Sequence, residues 1–492
     1  MFAHGVASGD PLPDGVVLWT RVSPTSPDPV IVRWRVAADP ALKIVAAEGT
    51  AAAQSEHDFT VHVDVGGLRP STTYYYRFAT ASDASPVGRT RTAPSGSTDR
   101  IRLGVVSCAN WSHGFFNAYR CLAERDVDLV LHVGDYIYED GDGWEEVERV
   151  HQPRRRLRTL ADYRTRHAQY RTDRDLQHLH QRHPMVAVWD DHDVAGNSWR
   201  DGAADHDPAE DGDWYERRAA ATRAYLEWLP VRSPAGQDRI YRSFDFGDLA
   251  HLMVLDTRLE GRDRPVADGE RPAATIETRD RSLLGPEQRA WLRAELVSSS
   301  SRWQLLGNQV MMAPLRLVEV PAPLRGLTHG LVAGGAGVNA GQWDGYPGER
   351  AALFDLVTQA GIRNLVVLTG DLHSSWAGEL TLDPGERAPV VGVEFVTPSV
   401  TSRSFAEELA PPVPGVRALL RRVVARQNPH FRYFDLEGRG YLVVDVDAER
   451  LQAEFWHVDT VGQRGAGERL AAVSVVRDGA SRLFTTGDGR GK

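Results

Sequence analysis

The chain has 492 residues, more than one hydrophobic core usually serves, so two domains are expected. Hydrophobic residues make up 42% and charged residues 25%, an ordinary globular composition, and no stretch approaches the length of a membrane span. The formal net charge of −10 argues against a nucleic-acid coat or an anionic-membrane binder, because each needs a basic face, and it leaves metal ions to supply positive charge for an anionic substrate.

The chain opens at Met1-Phe2-Ala3-His4-Gly5, already inside what reads as a folded segment. No signal peptide precedes it, so either a cytoplasmic protein or one stripped of its leader is expected. Residues 1–98 read as a small all-β domain. Alternating runs at 15–21, 30–36, 59–65 and 74–80 predict strands, divided by turns such as Leu68-Arg69-Pro70-Ser71. From Val61 to Phe78 a strand, a Gly-Leu-Arg-Pro corner and a Tyr-rich strand resemble the fibronectin type III pattern. A Pro, Ser, Gly and Thr linker near 93–97 leads into a second domain, 99–492.

From Arg102 strands alternate with helices, the α/β signature. β-Branched runs at 102–106, 127–133, 185–188 and 364–368 predict buried parallel strands. Further strands are expected at 250–255, 303–306, 391–396, 440–446 and 451–456, the last two as a hairpin. Helices are expected at 114–125, 214–228, 286–296 and 346–360, the third opening on Pro286. The Gly-rich stretch 330–345 reads as a mobile surface loop near a site mouth. Only Cys108 and Cys121 are present, so disulfides do not organise the fold.

Each of the four buried runs ends on a polar motif: Ser107-Cys108-Ala109-Asn110, Gly134-Asp135-Tyr136-Ile137-Tyr138-Glu139, Trp189-Asp190-Asp191-His192-Asp193 and Gly370-Asp371-Leu372-His373. Ligands of open α/β sheets sit at the carboxyl ends of the strands. Four such ends delivering Asp, His, Cys and Tyr to one edge predict a metal site. Asp135 is read as the carboxylate bridging two ions, which two-metal hydrolases hold roughly 3.5–4 Å apart. Cys108, Tyr138 and His373 are read around the first ion, Asp191 and Asp371 around the second, and Asn308 as a further oxygen ligand. A phenol of pKa about 10 stays deprotonated at neutral pH only on a strong Lewis acid such as Fe³⁺. His192 and Arg258 are read as the groups that stabilise charge on phosphate oxygens. Singly, each residue has an ordinary reading: Cys108 a buried hydrophobe, Tyr138 a core-edge aromatic, Arg258 a surface ion pair. Their joint position at strand ends outweighs those readings. His4, His57, His62 and His430 are read as structural.

With these motifs, and with Gly5-Val6-Ala7-Ser8-Gly9-Asp10-Pro11 and Gly15-Val16-Val17-Leu18-Trp19-Thr20-Arg21 ahead of them, the chain resembles the PhoD-like alkaline phosphatase family of the calcineurin-like metallophosphoesterase superfamily. The resemblance runs to Gly440-Tyr441-Leu442. It implies an N-terminal β-sandwich on a four-layer αββα catalytic domain. It implies Fe³⁺ held by Cys108, Asp135, Tyr138 and His373, and one or two Ca²⁺ served by Asp135, Asp191 and Asp371. Most superfamily members carry Asp-x-His first and Gly-Asn-His third; Ser107-Cys108 and Asp190-Asp191-His192 stand here, as in the PhoD-like branch. Asp191 in place of Asn adds a charged oxygen ligand, which suits Ca²⁺ over Zn²⁺. Export by a twin-arginine leader, to a secreted or cell-surface location, is implied as well.

The expected reaction is hydrolysis of phosphate monoesters or diesters by a metal-bound water or hydroxide. No phosphoenzyme is expected, since no Ser or Thr sits at the centre of the constellation. Phospholipase D-type cleavage of phospholipid head groups is the alternative, and a catalytically inactive surface binding protein a second. A small phosphate-ester or phospholipid substrate, no nucleic-acid surface and a monomer are expected. Trp199, Trp343 and Trp376 are read as pocket-lining or core residues, Trp376 as core.

Overall fold

The computed structural model describes residues 1–141, 149–232, 239–266, 280–316, 340–382, 389–409 and 415–486. Two large sheets carry the fold. One has ten strands, in the order Leu483–Thr486, Glu468–Arg477, Arg450–Val458, Gly440–Asp447, Arg100–Val106, Leu129–His132, Met185–Ala187, Val6–Leu12, Gly15–Arg21 and Thr60–Val65. The other has seven, in the order Arg242–Phe246, Ala250–Val254, Trp303–Asn308, Leu365–Thr369, Gly392–Val396, Ser375–Leu380 and Phe431–Asp435.

The centre of each sheet is parallel. Arg100–Val106, Leu129–His132 and Met185–Ala187 run together in the first, and Ala250–Val254, Trp303–Asn308, Leu365–Thr369 and Gly392–Val396 in the second. Strands such as Leu129–His132, Ala250–Val254 and Leu365–Thr369 are buried on both faces, which is why they read as largely apolar runs. The sheets face each other: one core joins Val105, Leu131 and Leu442 to Leu305, Val366 and Phe395, and the Phe395 and Phe455 rings lie 6.5 Å apart. Helices Asn117–Ala123, Leu160–Tyr170, Arg174–Arg182 and Trp214–Trp228 contribute to that core. Gly285–Ser298, Pro347–Gln359 and Val416–Gln427 pack in a second core with Leu306 and Val367 of the seven-stranded sheet. The result is the α/β, helix–sheet–sheet–helix arrangement.

The N-terminal segment forms a two-layer β arrangement. Its outer layer is a four-stranded sheet, Val45–Ala53, Val30–Ala37, Thr73–Ala79 and Gly88–Arg91. Its inner layer is the end of the ten-stranded sheet, because Val6–Leu12 pairs in parallel with Met185–Ala187. Their contact is so close that a Cβ on Gly9 would stand 2.2 Å from the Pro230 carbonyl oxygen and 2.6 Å from that of Met185. Val16, Val32, Val36, Val65, Tyr76 and Phe78 form the core between the layers.

Among the described residues, five helices have no counterpart in the sequence reading: Leu160–Tyr170, Arg174–Arg182, Pro208–Asp211, Phe405–Leu409 and Val416–Gln427. Leu160–Tyr170 buries Arg166 and His167 where aliphatics would mark a helical stripe, so its period is hidden; the capping box Thr159-x-x-Asp162 was its readable start. Both cysteines are free. The expected mobile loop at 330–345 falls mostly outside the described residues. Its described end is ordered, with Trp343 and Gly345 buried in a 3₁₀ turn, so that part is no surface loop. Trp343 is therefore core, as is Trp376, while Trp199 is half-buried.

Candidate metal centre

The parallel strands of both sheets end at one edge, and the chain turns sharply there. Cys108, Asp135, Asp371 and His373 all take positive φ, at 60°, 56°, 60° and 50°. A non-glycine residue in that region costs of order 1–3 kcal/mol, and four of the eleven among the described residues stand at this edge. Gly134 at φ 107° is forced, since a Cβ would meet the Asp190 Cβ at 2.3 Å. The turns are tied across strands: the Cys108 amide donates to the Gly134 carbonyl at 3.2 Å, and the Ala109 amide to that of Asp135 at 3.0 Å. Asp193 sits beneath them, fully buried, accepting from the Asp135 and Asp190 amides at 2.9 Å each and the Ile137 amide at 3.1 Å.

Two groups of potential ligand atoms result, each within 4.8 Å of one another: Cys108, Asp135 and His373 in one, Asp190, Asp191 and Asp371 in the other. Asp135 also groups with Asp191 and His192 within the same limit, and so stands between the two. Tyr138 completes the first group. Its hydroxyl donates to Asp135 Oδ2 at 2.9 Å, lies 3.2 Å from His373 Nε2 and accepts from Ser402 Oγ at 2.7 Å. Glu408 Oε1 holds the other ring nitrogen of His373, at 3.2 Å. Arg166, buried, donates to the Tyr138 carbonyl and, at 3.0 Å each, to those of Asp140, Gln152 and Pro153.

Burial, then Asp135, pushes the Cys108 thiol well above its usual range; burial, then Asp135 and Cys108, does the same to the Tyr138 phenol. Burial raises Asp135 to about 6. Such donors release their protons when a cation replaces them.

Arg258 lies among the second group. It forks onto Asp190 through Nε and, at 3.2 Å, Nη2, and Nη2 also reaches Asp371 at 2.5 Å and Asp191 at 3.2 Å. Asp191 Oδ1 is buried and meets Arg258 Nη2 as an ion pair without hydrogen-bond geometry. Burial alone would raise Asp191, but Arg258, His192 and the Asn197 amide outweigh it and hold its carboxyl below the ordinary range. Gln342 Nε2 donates to Asp371 Oδ2.

His192 stacks on Tyr138, with ring centroids 4.4 Å apart, and its amide donates to Asp135 Oδ1 at 3.2 Å. Its Nδ1 donates to Glu139 Oε2 at 2.8 Å, and Glu139 Oε1 accepts the Gly196 amide at 2.6 Å. Burial would lower this imidazole, but Glu139, then Asp191 and Asp135, outweigh it and hold it well above its ordinary value. The carboxylates Asp135, Glu139, Asp140, Asp190, Asp191, Asp193, Asp371 and Glu408 thus outnumber the basic side chains Arg258, His192 and His373 that they surround. That excess of acid favours bound cations.

The sequence-predicted residues Cys108, Asp135, Tyr138, Asp191, Asp371, His373, His192 and Arg258 come together here. Asn308 does not take part in these groups through its amide nitrogen, which donates to the Val310 carbonyl and to Thr369 Oγ1 at 3.2 Å; its Oδ1 accepts from Trp343 Nε1 at 3.2 Å. Arg258 is no surface ion pair but a buried one. Sequence reasoning missed Glu139, Asp190 and Asp193, which lay inside motifs it had singled out. It also missed Arg166, Gln342, Ser402 and Glu408, which carry no strand-end signal.

The chain matches the PhoD-like phosphatase family over residues 103–455 and the N-terminal domain of PhoD-like phosphatases over residues 1–94. Alkaline phosphatase D of Bacillus subtilis (strain 168) is 37% identical, the match covering 94% of this chain and 79% of that protein. The solved structure of PhoD superposes with a TM-score of 0.87 at 33% identity, covering 99% of this chain and 92% of that one. Fold and site together define a metal-dependent phosphoesterase of the calcineurin-like superfamily. Within it, the chain belongs to the PhoD-like alkaline phosphatase family.

Proposed function

We propose that this phosphoesterase hydrolyses phosphate monoesters and diesters, phospholipid head groups among the latter, at a centre of one Fe³⁺ and one or two Ca²⁺. The observation that carries the reading is a pair of buried donor groups meeting at Asp135. The donors fit the ions. A thiol, a phenol and an imidazole beside a carboxylate suit Fe³⁺, and the all-carboxylate group suits the hard Ca²⁺. Cys108, Asp135, Tyr138 and His373 would hold iron; Asp135, Asp191 and Asp371 would hold calcium, and Asn308 would join them through the Oδ1 lone pair that Trp343 leaves free. Bound there, the ions supply Lewis acidity and a nucleophilic water at neutral pH.

The chain's own groups do the rest. His192, held protonated at Nδ1 by Glu139, presents Nε2 as a donor to a phosphoryl oxygen or the leaving group. Arg258 keeps Asp190, Asp191 and Asp371 together and adds positive charge against the phosphoryl group. Residues 1–98 act as a supporting domain without ligands, 99–492 as the catalytic one, and the protein works outside the cytoplasm as a monomer. No helix among the described residues is long and apolar enough to cross a membrane.

Parallel assays of a monoester and a diester, with and without chelator, and metal analysis of the purified protein test the reading. Chelator-sensitive turnover with bound iron and calcium is expected. Protein free of both metals that hydrolyses neither ester would overturn it in favour of a binding protein.

A further inference from the structure

The net charge of −10 hides a local exception. Helix Val416–Gln427, read Val-Arg-Ala-Leu-Leu-Arg-Arg-Val-Val-Ala-Arg-Gln, carries Arg417, Arg421, Arg422 and Arg426 and no acid. Its inner side is settled: Val424 is buried in the core beside the seven-stranded sheet, and Leu420 packs partly against it. Arg421 turns to Glu437, at 3.3 Å. Its outer side is different. Leu419, Arg422 and Arg426 follow at helical spacing on one exposed stripe, flanked by Ala418 and Ala425. Leu419 is 61% exposed and is the stripe's large apolar residue. Arg422 and Arg426 form no ion pair with any described residue.

The helix follows, in chain order, one that touches the metal centre. The preceding helix, Phe405–Leu409, puts Glu408 on His373 Nδ1 at 3.2 Å, and its Glu407 pairs with Arg439, whose Nε donates to the Ser402 carbonyl at 3.0 Å. Ser402 in turn holds the Tyr138 hydroxyl. A cationic stripe with an apolar residue at its centre therefore stands on the helix that follows this support of the site in the chain.

We propose that the outer face of Val416–Gln427 docks the protein on an anionic lipid surface. The arginines supply attraction to anionic head groups, and Leu419 enters the head-group boundary, which a purely polar polyanion could not accommodate. This surface extends the phosphoesterase reading, since it would bring lipid-borne esters to His373 and Asp371. Docking itself does not depend on that reading.

The test is co-sedimentation of the whole chain with vesicles of phosphatidylcholine alone or mixed with phosphatidylglycerol, without turnover. Binding is expected to the mixed vesicles only and to weaken with salt. Arg422→Ala with Arg426→Ala should weaken it on the order of thirty-fold, from about five-fold per lost cation. Leu419→Ser should weaken it while keeping the salt dependence. Turnover of a soluble monoester should be unchanged in both variants. Equal binding to neutral vesicles, or undiminished binding by the double variant, would overturn the proposal. So would equally strong, Leu419-independent binding to dissolved polyphosphate, which would mark a polyanion face. Loss of turnover with docking intact would count against the hydrolase reading alone.

Discussion

Replacing Glu139 by Gln tests what holds His192. The carboxylate is fully buried and does two things: Oε2 accepts from His192 Nδ1 at 2.8 Å and Oε1 from the Gly196 amide at 2.6 Å. Gln keeps the shape. Its carbonyl can still serve Gly196, but its NH₂ then faces Nδ1, which must become an acceptor. The imidazole turns neutral, with its proton on Nε2. A hydrogen bond to a charged group contributes about 1.5–3 kcal/mol, so kcat should fall about ten- to a hundred-fold. KM on a soluble monoester should change little, because the loss falls on charge that develops in the transition state. Glu139 is a leading cause of the raised His192 value, so the limb of the pH–rate profile that needs protonated His192 should move to lower pH. Glu139→Asp keeps the charge and should recover part of kcat. Unchanged kcat and pH profile in Glu139→Gln would refute the reasoning. So would loss of bound metal in that variant, since Glu139 would then be a ligand.

Asp135→Asn should lower kcat on the order of a thousand-fold or more and release metal, as Asp135 lies between both donor groups; retention of most activity and metal would sink the bridge assignment. If Tyr138 binds Fe³⁺ as a phenolate, the protein isolated in air should absorb visible light, and Tyr138→Phe should shift or bleach that band; colourless, active, iron-free protein would reject the iron site. Burial lowers His132 and His167 to about 3, against about 6.5 in an unfolded chain. The unfolded chain takes up protons that these folded rings refuse, so their contribution is whole above pH 6.5 and is lost as pH falls towards 3. Each should cost about 1.4 kcal/mol per pH unit over that span. Urea midpoints near about pH 7 and about pH 5 check this, and a midpoint that rises on acidification contradicts it.

Much of the site was legible because its strands are buried on both faces. Leu129–Leu131 and Leu365–Leu368 are buried aliphatics, so the polar residues that follow them announce the sheet edge. The partners of those residues were not legible. Ser402 reaches Tyr138 and Glu408 reaches His373 from a connection without period, and only the fold brings them there. The same holds for the pairing of Gly9 with Met185, across 176 positions of sequence, which makes the N-terminal strands part of the catalytic sheet. Arg258 shows the converse: its sequence neighbourhood, Leu255-Asp256-Thr257, gave its position, but its carboxylate partners Asp190, Asp191 and Asp371 come from two other strand ends.

The two sheets divide the labour at this edge. Cys108, Asp135, Tyr138 and Asp191 come from the ten-stranded sheet, Asp371, His373 and Arg258 from the seven-stranded one. The Cys108–Asp135–His373 and Asp190–Asp191–Asp371 groups each draw on both sheets, while Asp135, Asp191 and His192 all come from the ten-stranded one. Closing them together crowds carboxylates and fixes four non-glycine residues at positive φ, both unfavourable. The shared core must offset that, and it is extensive, running from Leu131 and Val133 to Leu305 and Leu368 directly below the turns. The polar supports then have a clear purpose. Asp193 binds two turns of one sheet, Ser399 bridges to Ser107 across the sheets, and Arg258 joins Asp190 to Asp371. Ligand atoms held that way cannot relax apart to relieve their repulsion, and a cation can relieve it without moving them.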